Sequence, residues 1–328
     1  MKEHFGIIKF FMRDYLAISM ILEVGLLLFL ILILYKSSEV LVESARIISA
    51  YFNVPEFFIG FLFIAFGTSL PELAVSVASS YFGHIDIAYG TVIGSNILDI
   101  ALVLGLIIIF NRNIKIKSDL LLKDMIFTIL ISVIPLFLLF FNLPHLFLGL
   151  VLLSLFFVYL FKVMREKRFK KEIDVNAREA VKASLLIFPM LFLVIVASFL
   201  IPNLVEQVAM DLKIDDLLIA MTFVALGTSL PELMAGMSAK RKGYDYILWG
   251  DLTGSLVINA TLVFGVSMLF SPFHVSSVLN LSSIAFLLTL EALLVLISLS
   301  ERELKFSDGL AFVLAYVLYL ALEFLINA

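Results

Sequence analysis

Two sets of hard oxygen donors stand inside the most apolar parts of this sequence. Ala65-Phe66-Gly67-Thr68-Ser69-Leu70-Pro71-Glu72 and Ala225-Leu226-Gly227-Thr228-Ser229-Leu230-Pro231-Glu232 differ at one position and lie 160 residues apart. Each copy carries two hydroxyls, a proline and a carboxylate. Pro71 and Pro231 have no N–H and clash with the carbonyls of Gly67 and Gly227, so each helix should break there and release carbonyls around Ala65–Gly67 and Ala225–Gly227. Backbone left unpaired in a membrane is tolerated only where it lines a cavity or binds something. The C-terminal end of a half-helix carries partial negative charge, which suits a cation. Oxygen-only shells select Na⁺, Ca²⁺ or Mg²⁺ over softer transition metals. Mixed carboxylate, carbonyl and hydroxyl ligands on bent helices favour a larger, flexible shell, hence calcium, with sodium of nearly equal radius competing. There is no cysteine, and His4, His84, His145 and His274 all fall at loops or the terminus, so neither thiolates nor an intramembrane imidazole enter the chemistry.

The next apolar stretch of each half adds a second polar stripe. Ser95 and Asp99 are four apart and share a helix face, as do Ser255 and Asn259. Glu72, Asp99, Glu232 and Asn259 are therefore expected to converge near the membrane midplane. Gly90 and Gly94, matched by Gly250 and Gly254, permit close approach to the broken helices. A single proline-kinked helix whose Ser and Thr satisfy its own backbone needs no ligand. A second copy at a fixed offset, each with a carboxylate that is costly in a bilayer unless paired or functional, argues against that reading.

The elements that hold these residues follow from composition. Hydrophobic residues make up 62% of the 328, charged residues 15%, and the mean hydropathy is +1.12. Such a chain needs the bilayer as its solvent. Candidate spans are 15–35, 56–80, 87–110, 121–141, 145–163, 180–202, 215–239, 246–270, 279–299 and 308–326. No segment alternates in the way of a membrane β-barrel. The class is an all-α polytopic membrane protein, with ten transmembrane helices in two inverted five-helix repeats. Five is odd, so the second repeat enters from the opposite face and the two motif helices run antiparallel.

Loops after odd-numbered spans, with the polar ends of those spans, hold 19 Lys and Arg against 4 on the other side. That bias places the odd loops in the cytoplasm and both termini outside. Residues 1–14 read as an amphipathic extension, 15–164 as repeat one, 165–179 as a short basic linker and 180–328 as repeat two. The basic run 162–171 is what orientation and anionic lipid require of a juxtamembrane loop, so nucleic acid is not expected as a partner. The expected partners are the bilayer and the transported ions, with no obligate protein partner. No hydrolase, nucleotide or redox motif is present, so neither an enzyme nor a cofactor is expected.

Gly-Thr-Ser-Leu-Pro-Glu followed by Gly-Ser-Asn-Ile-Leu-Asp, with its partner followed by Gly-Ser-Leu-Val-Ile-Asn, resembles the two α-repeats of the calcium/cation antiporter superfamily. The compact prokaryotic sodium/calcium exchangers are the most similar branch, and the resemblance covers essentially the whole chain. It implies a ten-helix antiporter exchanging Na⁺ for Ca²⁺, in which spans one and six slide across spans two, three, seven and eight. It implies Glu72 and Glu232 as ligands shared by both ions, with the Thr68 and Thr228 carbonyls on calcium. Ala65, Ser69, Ser95, Ala225, Ser229 and Ser255 would be sodium ligands, with Thr228. Shared carboxylates would make binding mutually exclusive and transport an exchange. The chain departs from that pattern in carrying Asp99 and Asn259 where those exchangers carry Asn and Asp. Asp251 stands where many relatives have Asn, and Glu291 in span nine reads as a neutral or lipid-interface glutamate with no assigned role.

Two other readings remain. A proton/calcium antiporter of the same superfamily would use the same glutamates; the retained Ser69, Ser95, Ser229 and Ser255 favour sodium. An ion channel or a non-transporting membrane scaffold is disfavoured by inverted repeats with broken helices. Asp251 lies on the stripe of Ser255 and Asn259, toward the expected cytoplasmic end of span eight. It reads as a helix-start aspartate that interacts with the macrodipole or pairs with Lys240–Lys242, or else as a vestibule carboxylate that gathers cations.

Overall fold

The computed structural model describes residues 2–83, 85–116, 119–138, 141, 143–165, 175–211, 225–270 and 278–327. In chain order the helices are α1 (Lys2–Phe52), α2 in two halves (Glu56–Thr68 and Leu70–Tyr81) and α3 (Ile85–Leu98, Asp99–Leu104, Gly105–Asn111). After them come α4 (Asp119–Leu138), α5 (His145–Arg165), α6 (Ala177–Asp211) and α7 (Ala225–Arg241). The chain closes with α8 (Asp245–Val257, Ile258–Val263, Phe264–Phe270), α9 (Val278–Ser300) and α10 (Phe306–Asn327). Among the described residues seven helices are long and apolar enough to cross a bilayer, and the bent α2 makes an eighth. α10 adds the apolar stretch Phe306–Leu322. α7 is the tenth; residues 215–224 of its expected span lie outside the described residues, as do 166–174 of the expected linker.

The first span is longer than its apolar run. α1 continues for 51 residues, past the charges at Lys36 and Glu39 where hydropathy ends the expected span. Leu41, Val42, Ala45 and Ile48 keep one face buried. The helix stops only at Asn53, which takes a left-handed φ of 55°, two residues before Pro55. The backbone of residues 2–14 is helical and continuous with the span. α6 is similarly long, and α1 packs along it. Both present most of their surface outward, whereas α3 and α8 are about four-fifths buried and form the centre.

Glycines show how the two halves interlock. A Cβ built at Gly105 of α3 would meet the Gly309 carbonyl of α10 at 3.1 Å. One built at Gly265 of α8 would meet the Gly149 carbonyl of α5 at 3.3 Å. Gly105 corresponds to Gly265, and Gly149 to Gly309, by the same 160-residue offset. Each contact joins one repeat to the other, and the repeat offset exchanges the two contacts. A short antiparallel pair, β1 (Asn113–Lys115) with β2 (Glu303–Lys305), ties the loop after α3 to the loop before α10.

Both central helices widen at equivalent places. α3 makes one looser π-helical turn over Asp99–Leu104 and α8 over Ile258–Val263. Such turns leave backbone groups less regularly paired and recur at functional sites. Asp99 and Asn259 stand at or next to the first residue of theirs.

Candidate ion-binding site

α2 breaks where its motif lies, but two residues before the proline. Its halves meet at 49°, with Ser69 (φ −84°, ψ 3°) between them. Pro71 sits in the first turn of the second half, where a missing N–H costs nothing, so the proline restarts the helix instead of ending it. Glu72 follows in that first turn, near the positive end of the helix dipole. The expected release of the Ala65 carbonyl does not occur. It accepts from the Ser69 N–H at 3.0 Å and from the Thr68 hydroxyl at 3.2 Å. Gly67 is the carbonyl whose i+4 donor the proline removes.

The second copy differs. From Ala225 to Arg241 α7 is one helix with Pro231 inside it, so the expected break at Pro231 is absent among the described residues. The proline removes the bond to the Gly227 carbonyl without ending the helix, a loss that membrane helices tolerate when neighbours pack around it. The side chains of Ala225 and Thr228 lie outside the described residues.

Some of the site residues meet around α3 and α8. Glu72, Asp99, Glu232, Asn259, Thr68, Ser69, Ser229, Ser95 and Ser255 are all buried, and so is Ala65. Glu232 lies within electrostatic range of Glu72, then Asp99, then Asp251. Ser255 donates to the Asp99 carboxylate at 2.6 Å. Asn259 Nδ2 donates to Asn96 Oδ1 at 3.1 Å, and Asn96 Nδ2 donates to the Leu256 carbonyl at 3.2 Å. Asn96 and Leu256 are themselves a matched pair by the repeat offset, so this bond crosses the centre of the pseudo-symmetry. Asn96 is the residue that sequence reasoning missed. Its signal was an amide beside Ser95 in the motif, but its partner is a carbonyl on the other repeat.

Among the described residues no three His, Asp or Glu side chains close around one point. The four polar residues expected to converge therefore do not form a carboxylate cage, and hydroxyl and carbonyl oxygens would have to complete any shell. Suitable oxygens are present. The Ser69 and Ser229 hydroxyls, Glu232 Oε2 and Asn259 Oδ1 are buried without a hydrogen bond to the protein. Oxygens of this kind are costly in a low-dielectric core unless a cation takes them.

Close glycine packing holds α2 against α8. A Cβ at Gly250 would lie 2.2 Å from the Phe57 carbonyl, one at Gly60 2.6 Å from the Ile247 carbonyl, and one at Gly254 2.9 Å from Ala65 Cβ. The partners of Gly90 and Gly94 would, by the offset, be residues 217–225, most of them outside the described residues.

Ion pairs tie α1 to the α7–α8 loop. Lys240 binds Asp245 at 3.1 Å and Lys242 binds Glu43 at 3.1 Å. Tyr244 donates to the same Glu43 at 2.9 Å and lies under the Arg46 guanidinium. Burial, and then the Glu43 carboxylate, push the Tyr244 phenol up, which keeps it a donor. This cluster fastens α1 to the α7–α8 loop. Glu291 of α9 is buried and accepts from Ser132 of α4 at 2.6 Å.

The sequence model of the family described as "Sodium/calcium exchanger protein" matches residues 22–165 and 182–325, one match per repeat. The chain belongs to the sodium/calcium exchanger family. It is 29% identical to the sodium/calcium exchanger MaX1 of Methanosarcina acetivorans, with 92% of this chain and 98% of that protein covered. It is 31% identical to the inner membrane protein YrbG of Escherichia coli strain K12, over 77% of this chain and 81% of that one. A solved structure of the sodium-calcium exchanger NCX_Mj, soaked with Na⁺ and Ca²⁺, superposes with a TM-score of 0.80 at 31% identity. That alignment covers 92% of this chain and 98% of NCX_Mj. The ten-helix inverted-repeat membrane architecture is that of this exchanger family.

Proposed function

We propose that this chain exchanges Na⁺ for Ca²⁺ by alternating access, at a site between α2, α3, α7 and α8. The observation that carries the reading is the burial of Glu72 and Glu232 within electrostatic range of each other, on matched motif helices of inverted repeats. Two like charges held together in a low-dielectric core repel strongly, and a divalent cation between them turns that repulsion into attraction. Sodium ions would neutralise the same two carboxylates singly, so neither ion can bind beside the other. Exchange follows from that competition.

In this reading Glu72 and Glu232 serve both ions, and the Thr68 and Thr228 carbonyls complete the calcium shell. Ala65, Ser69, Ser95, Ala225, Ser229 and Ser255 hold sodium, with Thr228. Asp99 and Asn259 set the charge of the central helices. Residues 15–164 and 180–328 act as one transport unit, in which the paired outer helices α1 and α6 slide across α2, α3, α7 and α8. The basic loops face the cytoplasm and both termini face outward. The ions are substrates; no resident cofactor, catalytic residue or obligate protein partner enters the scheme.

The test is ⁴⁵Ca²⁺ uptake by proteoliposomes under an imposed Na⁺, H⁺ or K⁺ gradient. Uptake should follow an outward Na⁺ gradient and saturate with calcium. Uptake that follows an H⁺ gradient and ignores Na⁺ overturns the sodium assignment in favour of a proton/calcium antiporter. Unsaturable flux needing no counter-ion would make the protein a channel.

A further inference from the structure

Asp251 is a buried carboxylate that the exchange scheme leaves unused. It is 1% exposed, and both of its oxygens lack a hydrogen-bond partner among the described residues. Glu232 and Glu291, also buried, each have only one such oxygen. Neither reading available from sequence survives. α8 begins at Asp245, so Asp251 lies beyond the first turn and outside the reach of the helix dipole. The two nearest lysines in sequence are engaged elsewhere, Lys240 with Asp245 and Lys242 with Glu43. A vestibule carboxylate would be wet, and this one is not.

The surroundings are acidic. Asp99 acts electrostatically on Asp251, and Asp251 acts in turn on Glu232. On the flank of α8 that carries Gly250, the helix is pressed onto the Phe57 backbone, leaving no room there for water or a counter-charge. Ser255, one turn along and about 6 Å away, already gives its proton to Asp99. Among the described residues, an anionic carboxylate in this position has no cation and no donor to hold it.

We propose that Asp251 holds a monovalent alkali cation, at a position one helical turn from the central site on the α7–α8 loop side. This rests on the exchange reading and extends its ion set. The charge class follows from the donor: Asp251 brings one negative charge with no second carboxylate bonded to it, and a single monovalent cation neutralises it. It exists on one side only. The residue at the matching place in repeat one is Thr91, which carries no charge, so the two halves of the transport path differ by one cation position.

Trp249 provides the probe. It is the single tryptophan of the chain, fully buried and two residues from Asp251. Full-length protein in detergent, free of Ca²⁺, would be titrated with NaCl or KCl against choline chloride at constant ionic strength while Trp249 emission is followed. Wild type should show a saturable alkali-dependent change. Asp251→Asn and Asp251→Thr, the latter copying Thr91, should raise the apparent Kd at least tenfold yet still bind ⁴⁵Ca²⁺; Asp251→Glu should restore the response. Glu232→Gln should lose ⁴⁵Ca²⁺ binding and keep the alkali response.

The proposal is overturned by an absent response in wild type, by an unchanged Kd in both neutral variants, or by loss of the response in Glu232→Gln, which would assign the signal to the central site. An alkali response that depends on Asp251 in a protein without Na⁺/Ca²⁺ exchange would overturn the exchange reading and leave this one standing. Exchange with an alkali response indifferent to Asp251 would do the reverse.

Discussion

The bond between Ser255 and Asp99 offers the most direct measure of how the two repeats are joined. One hydroxyl proton is shared between the Asp99 carboxylate at 2.6 Å and the Leu252 carbonyl at 3.1 Å, and the shorter contact takes it. A length of 2.6 Å lies in the range of charge-assisted O–H···O⁻ bonds. Both residues are buried, so water does not replace a lost partner. Hydrogen bonds to charged groups contribute about 1.5–3 kcal/mol net, and an abandoned buried acceptor costs a similar amount. Ser255→Ala should therefore destabilise by about 2 kcal/mol. Asp99→Asn should carry its own cost, and the double variant should be less destabilised than the sum by about 1.5–3 kcal/mol. Equilibrium unfolding of the detergent-solubilised protein, free of Na⁺ and Ca²⁺ so that ligand linkage does not contribute, measures all four species. Additivity within about 0.5 kcal/mol would refute the inter-repeat bond as a determinant of the central packing.

Glu72→Gln and Glu232→Gln should each abolish Na⁺-driven ⁴⁵Ca²⁺ uptake while the protein remains monodisperse; wild-type uptake by either refutes the shared-ligand assignment. Exchanging the central pair, Asp99→Asn with Asn259→Asp, moves the carboxylate to the helix opposite Ser95 and should retain substantial exchange. A double variant as inactive as Glu72→Gln would show that the supporting helix matters more than the charge. Gly250→Ala places a methyl 2.2 Å from the Phe57 carbonyl and should cost at least about 1–3 kcal/mol along with exchange activity. Gly25→Ala, with nothing within 4 Å of its Cβ, should be neutral in both, and equal effects of the two would sink the packing argument.

What the sequence revealed was whatever depends on local chemistry and on the repeat. The ten spans, the odd repeat and the two polar stripes follow from residues within a few turns of one another. The failures came from position in three dimensions. Hydropathy ended the first span near Lys36, whereas the helix answers to Asn53 and Pro55 and to a buried face that tolerates charges on its other side. Proline was read as a terminator at both motifs. In α2 it starts a half-helix and in α7 it lies within one, a difference that eight nearly identical letters cannot encode. Asn96 was visible as a letter and invisible as a contact, because its partner is a carbonyl 160 residues away. Asp251 looked like a charge near a loop, and only the structure shows it buried, with Lys240 and Lys242 engaged elsewhere.

The exchanged glycine contacts, Gly105 with Gly309 and Gly149 with Gly265, bear on how the protein is made. The first five spans to leave the ribosome contain Gly105 and Gly149 but neither of the surfaces these residues fit. They also contain Asp99 before Ser255 exists, and Asn96 before the Leu256 carbonyl. At roughly 5–20 residues per second, the N-terminal half waits on the order of ten seconds in the bilayer with its polar groups unanswered. The stage of synthesis most exposed to quality control is therefore the half-made chain, and it ends only when α10 arrives to cover α3.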